Sequence, residues 1–378
     1  MIIDRIITGK IKKILENNER KVVILYGPRQ AGKTTLIKTL LGSYSGSVVS
    51  FVGDDLFTQD LLSKNELESL RKIVGSNKLL VVDEAQRIEN IGRSMKLLID
   101  NLPITILASG SASFDLANKL SEPLTGRTET FWLYPFLHTE LEKKYATTLK
   151  DTAVSEMLRF GMYPNVHNLQ TEQEKQNYLY EYINNYLYKD ILSFDGVKKP
   201  KKIIDLLVLL ALQVGKEVSI SELGKNLAMS VVTVQNYLDV LEKMFVIVNL
   251  RGFSRNLRKE VYKTSKYYFV DVGVRNALIR NFNLLGIRND AGELFENWFI
   301  MEKIKAANSL GRYSNFYFWR TYDQQEIDLI EERNGKLFAY ECKFSPGGKV
   351  SPPKEFLDAY KGAEFMIVNT ANFAEYLG

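Results

Sequence analysis

The chain has 378 residues, enough for two or three domains. Its apolar fraction of 45% and charged fraction of 25% exclude collagen-like, disulfide-stapled and wholly disordered chains. A net charge of +5 is too small to imply a nucleic-acid partner by itself, and one cysteine with two histidines excludes an internal disulfide and zinc sites of the Cys/His type.

The opening MIIDRIITGKIKK is broken by Asp4 and Arg5, so it carries no secretory core. The most apolar stretch, 203–214, contains Asp205 and is about half the ~20 residues a bilayer span needs. The expectation is a cytoplasmic protein with no membrane partner.

From Lys21 to about Pro135, short β-branched runs alternate with helical patterns. The runs are VVILY (22–26), SVVSFV (47–52), LLVVD (79–83), ITILA (104–108) and TETFWLY (128–134). Five near-continuous apolar strands joined by crossovers predict a doubly wound α/β domain. Residues 150–195 read as helical, and Tyr178, Tyr182 and Tyr186 recur every four residues on one face. KKPKK (198–202) reads as a linker. Three helices follow, the second capped by Ser219 with Glu222 and the third by Ser230, and then FVIVNL (245–250) and YYFVD (267–271). Three helices and a two-stranded hairpin in that order predict a winged helix. The remainder reads as a helix, the strands FYFWR, EIDLIEE and LFAYECKF, a helix near 353–361, and the strand FMIVN. The predicted domains are 1–200, 201–275 and 276–378.

Gly27, Pro28, Arg29, Gln30, Ala31, Gly32, Lys33 and Thr34 match G-x-x-x-x-G-K-[ST], directly after a strand and opening the helix that continues with Thr35. Glycines let backbone N–H groups surround an anion, and the helix N-terminus adds partial positive charge. Lys33 is placed to reach the terminal phosphates and the Thr34 hydroxyl to hold Mg²⁺, so ATP and Mg²⁺ are the expected cofactors. Asp83 and Glu84 end another strand, where ligands of open parallel sheets bind. Asp83 is the expected Mg²⁺ partner and Glu84 the group that polarises water. Ser109 ends the next strand in Ser-Gly-Ser; it either orients water or phosphate, or serves the turn alone. Arg127 precedes the fifth strand, as a surface arginine or as a finger reaching a neighbouring subunit in a ring.

Together these residues resemble an AAA-type ATPase. More closely, the chain is similar to a group of bacterial and archaeal ATPases with a C-terminal domain of unknown function related to nucleases. The matching pieces are GPRQAGKTT, VVDEAQRI, SGSAS, LTGR, YPF, GMYP (161–164), YLYKDI, YYFVDVG, GELFEN, and WRT…EIDLIEE with ECK. The resemblance implies an ATP-binding, hydrolysing module with a helical lid, a winged helix and a restriction-endonuclease-like α/β domain. It makes Arg127 the candidate finger and GMYP a lid element near the adenine.

In the winged helix, Val231, Val234, Leu238 and Leu241 are expected in the core, with Val232, Thr233, Gln235, Asn236 and Asp239 outward. Arg251, Arg255, Arg258, Lys259, Lys263 and Lys266 lie within sixteen residues, interleaved with Phe253 and Tyr262. This basic hairpin suits a DNA backbone read without sequence preference, or serves as a solvated scaffold. In the terminal segment, Asp328 lies on one strand, Glu341 and Lys343 share a face of the next, and Glu296 adds a carboxylate from the preceding helix. Carboxylates and a lysine at strand ends can hold Mg²⁺ and activate water. The set resembles the PD-(D/E)XK nuclease core, with Ile327 where its proline stands; such domains cut phosphodiesters or are kept as binding modules. The overall expectation is an ATPase moving DNA-associated modules, the alternative a nucleotide switch that assembles with protein partners.

Overall fold

In the computed structural model, residues 3–110, 124–146, 150–192, 200–254, 265–321, 324–347 and 351–377 are described. The first β-branched runs form strands, the three central ones buried along their whole length and the two edge ones partly exposed. They are β1 (Val22–Tyr26), β2 (Val48–Val52), β3 (Leu79–Asp83), β4 (Thr105–Gly110) and β5 (Thr128–Trp132). All neighbours run parallel, in the order β2-β3-β4-β1-β5. Val23, Leu25, Val81 and Leu107 pack with Leu36, Ile37 and Leu40 of the helix Lys33–Ser43 and with Ile11 and Leu15 of the helix Thr8–Glu16. Strand ends at one edge of this sheet therefore carry Gly27, Asp83 and Ser109 together.

Two compact units emerge: residues 1–135 with 243–245, and residues 136–242 with 246–378. The first compact unit ends at 135, ahead of the expected boundary at 200. The described residues between 136 and 192 pack inside the second unit, and the reason is visible in buried hydrogen bonds. Phe136 N donates to Met162 O, Lys305 Nζ to Phe136 O (3.0 Å), and His138 N to the Glu302 carboxylate (2.7 Å). Asn276 Nδ2 donates to the carbonyl oxygens of Leu158 and Arg159. Nor is KKPKK wholly a linker, since Pro200 opens the helix Pro200–Leu212, where its missing N–H costs nothing.

The second unit holds a seven-stranded mixed sheet. Its strands are β6 (Glu217–Val218), β7 (Ile247–Gly252), β8 (Ser265–Phe269), β9 (Ser314–Arg320), β10 (Glu326–Arg333), β11 (Lys336–Cys342) and β12 (Glu364–Val368). The order is β12-β11-β10-β9-β7-β8-β6. The hairpin β7–β8 and the terminal strands, expected in separate domains, share this sheet because β7 pairs in parallel with β9 at Arg251↔Tyr317 and Gly252↔Phe318.

The helix Ala291–Leu310 is buried on nearly all sides, and its charged residues find internal partners: Lys303 with Glu331 at 3.0 Å and Lys305 with Glu302 at 2.6 Å. The helix Val231–Lys243 buries Val234, Tyr237, Leu238 and Leu241. Val231 departs from the expected core and is exposed, because it opens the helix where no neighbour covers it. Among the described residues, no helix is long and apolar enough to cross a membrane.

Candidate functional site

The loop after β1 is built to bring backbone close to an anion. Gly27 has no alternative: a Cβ there would lie 2.1 Å from Leu133 O, just after β5. Gln30 and Gly32 take positive φ (61° and 99°), which turns successive N–H groups inward ahead of the helix Lys33–Ser43. Lys33 is buried, and its Nζ donates to Gly27 O (2.8 Å) and Pro28 O (2.9 Å), spanning the loop from inside. A phosphate bound in the loop would compete with these carbonyls for the same ammonium.

Thr34 Oγ1 donates to Asp83 Oδ2 at 2.8 Å, although 49 residues separate the two in sequence. A hydroxyl and a carboxylate side by side at the loop form a hard-oxygen set that fits Mg²⁺, which takes few protein ligands beside phosphate and water. Ser109 is fully buried; its hydroxyl donates to Asp83 Oδ1 and accepts from Glu84 N at 3.4 Å. It thus ties together the two acidic residues. Glu84 follows β3 with a left-handed φ of 52°, and its Oε2 accepts from Gln86 Nε2 at 2.5 Å.

Arg127 lies elsewhere. Its carbonyl accepts from Val22 N at the start of β1, whereas the phosphate loop follows the end of that strand. The guanidinium pairs with Asp100 on the helix Ile91–Asn101, Nε to Oδ1 at 2.6 Å and Nη2 to Oδ2 at 3.3 Å. It is therefore at the sheet edge opposite its own chain's loop.

In the second unit, the register of β10 against β9 shifts between Ile327 and Ile330, and Asp328 sits in that irregularity. The irregularity re-aims Asp328, whose Oδ2 accepts from Cys342 N at 2.7 Å. Lys343 Nζ donates to Glu341 Oε1 at 2.7 Å. Burial, then the neighbouring charges of Glu296 and Glu341, push the Asp328 carboxyl well above its usual range. Burial likewise raises Glu296 against the opposing pull of Lys266. Asp328, Glu296 and Glu341 are thus brought near one another. Yet among the described residues no three His, Cys, Asp or Glu side chains converge as a set able to hold a metal ion. One cation beside these carboxylates is supplied by the chain itself.

That cation is Lys266, which the basic run had assigned to DNA. It is 1% exposed, lies 3.6 Å from Glu296 and pairs with Glu326. Burial lowers its affinity for the proton, but Glu296 and Glu326 outweigh it and hold the ammonium above its ordinary value. Tyr268 on the same strand donates its hydroxyl to Glu296 Oε1 at 2.5 Å. Alternation on β8 sends Lys266 and Tyr268 inward, so Lys266 is unavailable to phosphate. Phe253 is likewise buried, against Trp319, Ile327 and Phe356, rather than interleaved with surface arginines. Arg251 is exposed. Arg255, Arg258, Lys259, Tyr262 and Lys263 lie outside the described residues.

Residues 19–142 match the model of an AAA domain. Two further models match, Domain of unknown function (DUF8612) over 151–287 and Domain of unknown function (DUF4143) over 291–377. The chain is 28% identical over 327 residues to an uncharacterized protein of Mycobacterium tuberculosis, covering 85% of this chain and 70% of that one. It is 24% identical over 395 residues to an uncharacterized protein of Methanocaldococcus jannaschii, covering 98% and 87%. A Walker-type ATPase of Pyrococcus abyssi shares the fold at a TM-score of 0.52 and 16% identity, over 74% of this chain and 96% of that one. With the loop geometry, these similarities make the first unit a P-loop, AAA-type nucleotide-binding domain.

Two features have no local signature in the chain. Arg5 donates Nη1 to Ala31 O (2.8 Å) and Nη2 to Tyr134 O (2.5 Å), clamping the AAA-type unit's phosphate loop from the first residues of the chain. No local pattern marks this arginine. The second feature concerns GMYP. Gly161 (φ 76°) leaves room for Asp271 of YYFVDVG, since a Cβ there would lie 2.1 Å from its carboxylate. Asp271 is buried and accepts from the N–H groups of Met162, Gly273 and Val274. Two motifs 110 residues apart are thus one joint, a link that alternation and helical periodicity do not encode.

Proposed function

We propose that the chain is a Mg²⁺-dependent ATPase whose nucleotide state governs the second unit. The observation that carries this reading is the 2.8 Å bond from Thr34 Oγ1 to Asp83 Oδ2 beside the Lys33 loop. Thr34 and Asp83 would hold Mg²⁺, which neutralises charge on the phosphates. Lys33 binds the terminal phosphates, and Glu84, just beyond Asp83, accepts the proton of an attacking water. Ser109 keeps Asp83 and Glu84 in register through its two hydrogen bonds. Phosphate release from ATP by the purified chain, with Mg²⁺ supplied or chelated, tests this directly; no release above a Lys33→Ala control would refute it.

The reading extends to a homo-oligomer, a ring among the possible forms, in which Arg127 serves a neighbour's nucleotide. Its place at the edge opposite its own loop supports action in trans over action in cis. It extends also to DNA association through a winged helix. The support is the order of the helices Pro200–Leu212, Ile220–Leu227 and Val231–Lys243 followed by the antiparallel pair β7–β8, with Arg251 exposed at the start of the basic run. A nuclease-like terminal domain fits the same scheme.

A second reading, a nucleotide-dependent switch acting on protein partners with an inactive nuclease-like domain, is favoured by one observation. Lys266 supplies an internal counter-ion to Glu296 beside Asp328, and Lys343 pairs with Glu341. Incubation with plasmid and single-stranded DNA under Mg²⁺ or Mn²⁺, with and without ATP, distinguishes the two. Metal-dependent cleavage abolished by Asp328→Ala would set the inactive reading aside.

A further inference from the structure

The turn that follows β3 folds back on itself. Glu84 takes a left-handed backbone, φ 52°, a conformation that costs a non-glycine residue energy and persists where surroundings enforce it. Here they do. Glu84 N is held by Asp83 Oδ1 (3.1 Å), and Glu84 O accepts from Arg87 N (3.0 Å). Ala85, which opens the short 3-10 turn Ala85–Arg87, and Ile88, which follows it, are both fully buried. This geometry returns residue 86 to residue 84, and Gln86 Nε2 reaches Glu84 Oε2 at 2.5 Å. Gln86 is itself 9% exposed, so its donor does not swing freely in water.

We propose that Gln86 is a positioning residue for Glu84: its carboxamide fixes the rotamer of the carboxylate through one oxygen, so that the group meets the attacking water in a single orientation. This rests on the ATPase reading and goes beyond it by naming the residue that orients the base. The chemistry of the donor matters. A lysine or arginine in this place would form an ion pair with the carboxylate, whereas a neutral amide orients it through a hydrogen bond alone. Because a base must lie within hydrogen-bond reach of the proton it takes, restricting it to one rotamer acts on the rate and not on nucleotide binding.

The test uses the full chain in four forms besides wild type: Gln86→Ala, the isosteric Gln86→Glu, Glu84→Gln, and Glu84→Gln with Gln86→Ala. Steady-state ATP hydrolysis and the affinity for a fluorescent ATP analogue are measured for each, with thermal melting to establish that each is folded. Gln86→Ala is expected to lower kcat by about 10- to 100-fold with the analogue's Kd within about two-fold, as for a group acting only through the base. Gln86→Glu keeps the volume but cannot donate at neutral pH, and is expected to lose at least as much. In the Glu84→Gln background the added alanine is expected to change nothing, since a residue that acts through Glu84 has no target left. Wild-type turnover in folded Gln86→Ala and Gln86→Glu would overturn the proposal while leaving the ATPase reading intact. So would a further loss on adding Gln86→Ala to Glu84→Gln. A wild-type chain that hydrolyses no ATP would remove both.

Discussion

The ammonium of Lys266 lies 3.6 Å from the carboxylate of Glu296, joining the hairpin strand β8 to the helix Ala291–Leu310 by a buried charge pair. A residue of the basic run is thereby an internal counter-ion to the acidic cluster around Asp328. Breaking such a pair from one side leaves buried charge uncompensated.

Lys266→Met is accordingly expected to cost about 3–5 kcal/mol of stability, read by urea unfolding. The loss depends on pH. Asp328 and Glu296 are both raised, so each contributes stability fully below its unfolded value and loses it as pH rises through the folded value. Without Lys266 the folded values move higher still, and the gap to wild type is expected to widen from about pH 5 to about pH 8. A gap that is constant over this range would contradict the counter-ion role.

At the phosphate loop, Lys33→Ala is expected to abolish measurable ATP binding, because its ammonium supplies ground-state charge to the phosphates. Glu84→Gln is expected to bind ATP normally and to lose hydrolysis by about 100-fold or more, the range for loss of a general base. Equilibrium binding beside phosphate release separates the two effects. Normal turnover in the Glu84→Gln protein would remove Glu84 from catalysis.

Gly161→Ala is expected to destabilise the second unit by about 2–4 kcal/mol, since a methyl group at φ 76° meets the Asp271 carboxylate. Asp271→Ala is expected to cost a similar amount by leaving the buried N–H groups of Met162, Gly273 and Val274 without their acceptor. Because both changes break one joint, the double variant should lose less than the two single losses added. Additive losses in chemical denaturation would show that the two motifs act separately.

Arg127→Ala is expected to leave stability within about 1 kcal/mol, as its pair with Asp100 is partly exposed. If the arginine serves a neighbouring subunit, hydrolysis falls by ~10³ in assembled protein while nucleotide affinity holds. Rates measured across protein concentration decide the matter, and a monomeric chain with full activity would exclude action in trans.

For DNA, reversal of Arg255 and Arg258 to Glu is expected to weaken binding and flatten its salt dependence, with basal ATPase unchanged. Lys266→Glu belongs to a different class: it should unfold the second unit instead of selectively weakening DNA binding. Unchanged DNA affinity after the Arg255 and Arg258 reversals would favour a protein partner.

Features carried by contiguous residues were legible in the chain itself. GPRQAGKT after VVILY determines a phosphate loop because the motif's geometry is local: glycines, a helix start and a lysine within eight residues. The apolar runs of 22–26, 79–83 and 104–108 likewise determine buried parallel strands, since no solvated face tolerates them. Arg127 before β5 and Lys266 in a basic run were legible as positions in the chain, but their partners were not. Only tertiary structure decided that Lys266 faces Glu296 and Glu326, that Asp271 holds the turn at Gly161, that Arg5 clamps Ala31, and that β7 pairs with β9 in one sheet. Each joins residues far apart in the chain. Their contacts depend on how whole elements pack and on which buried charges find partners there, and neither periodicity nor local propensity records that choice.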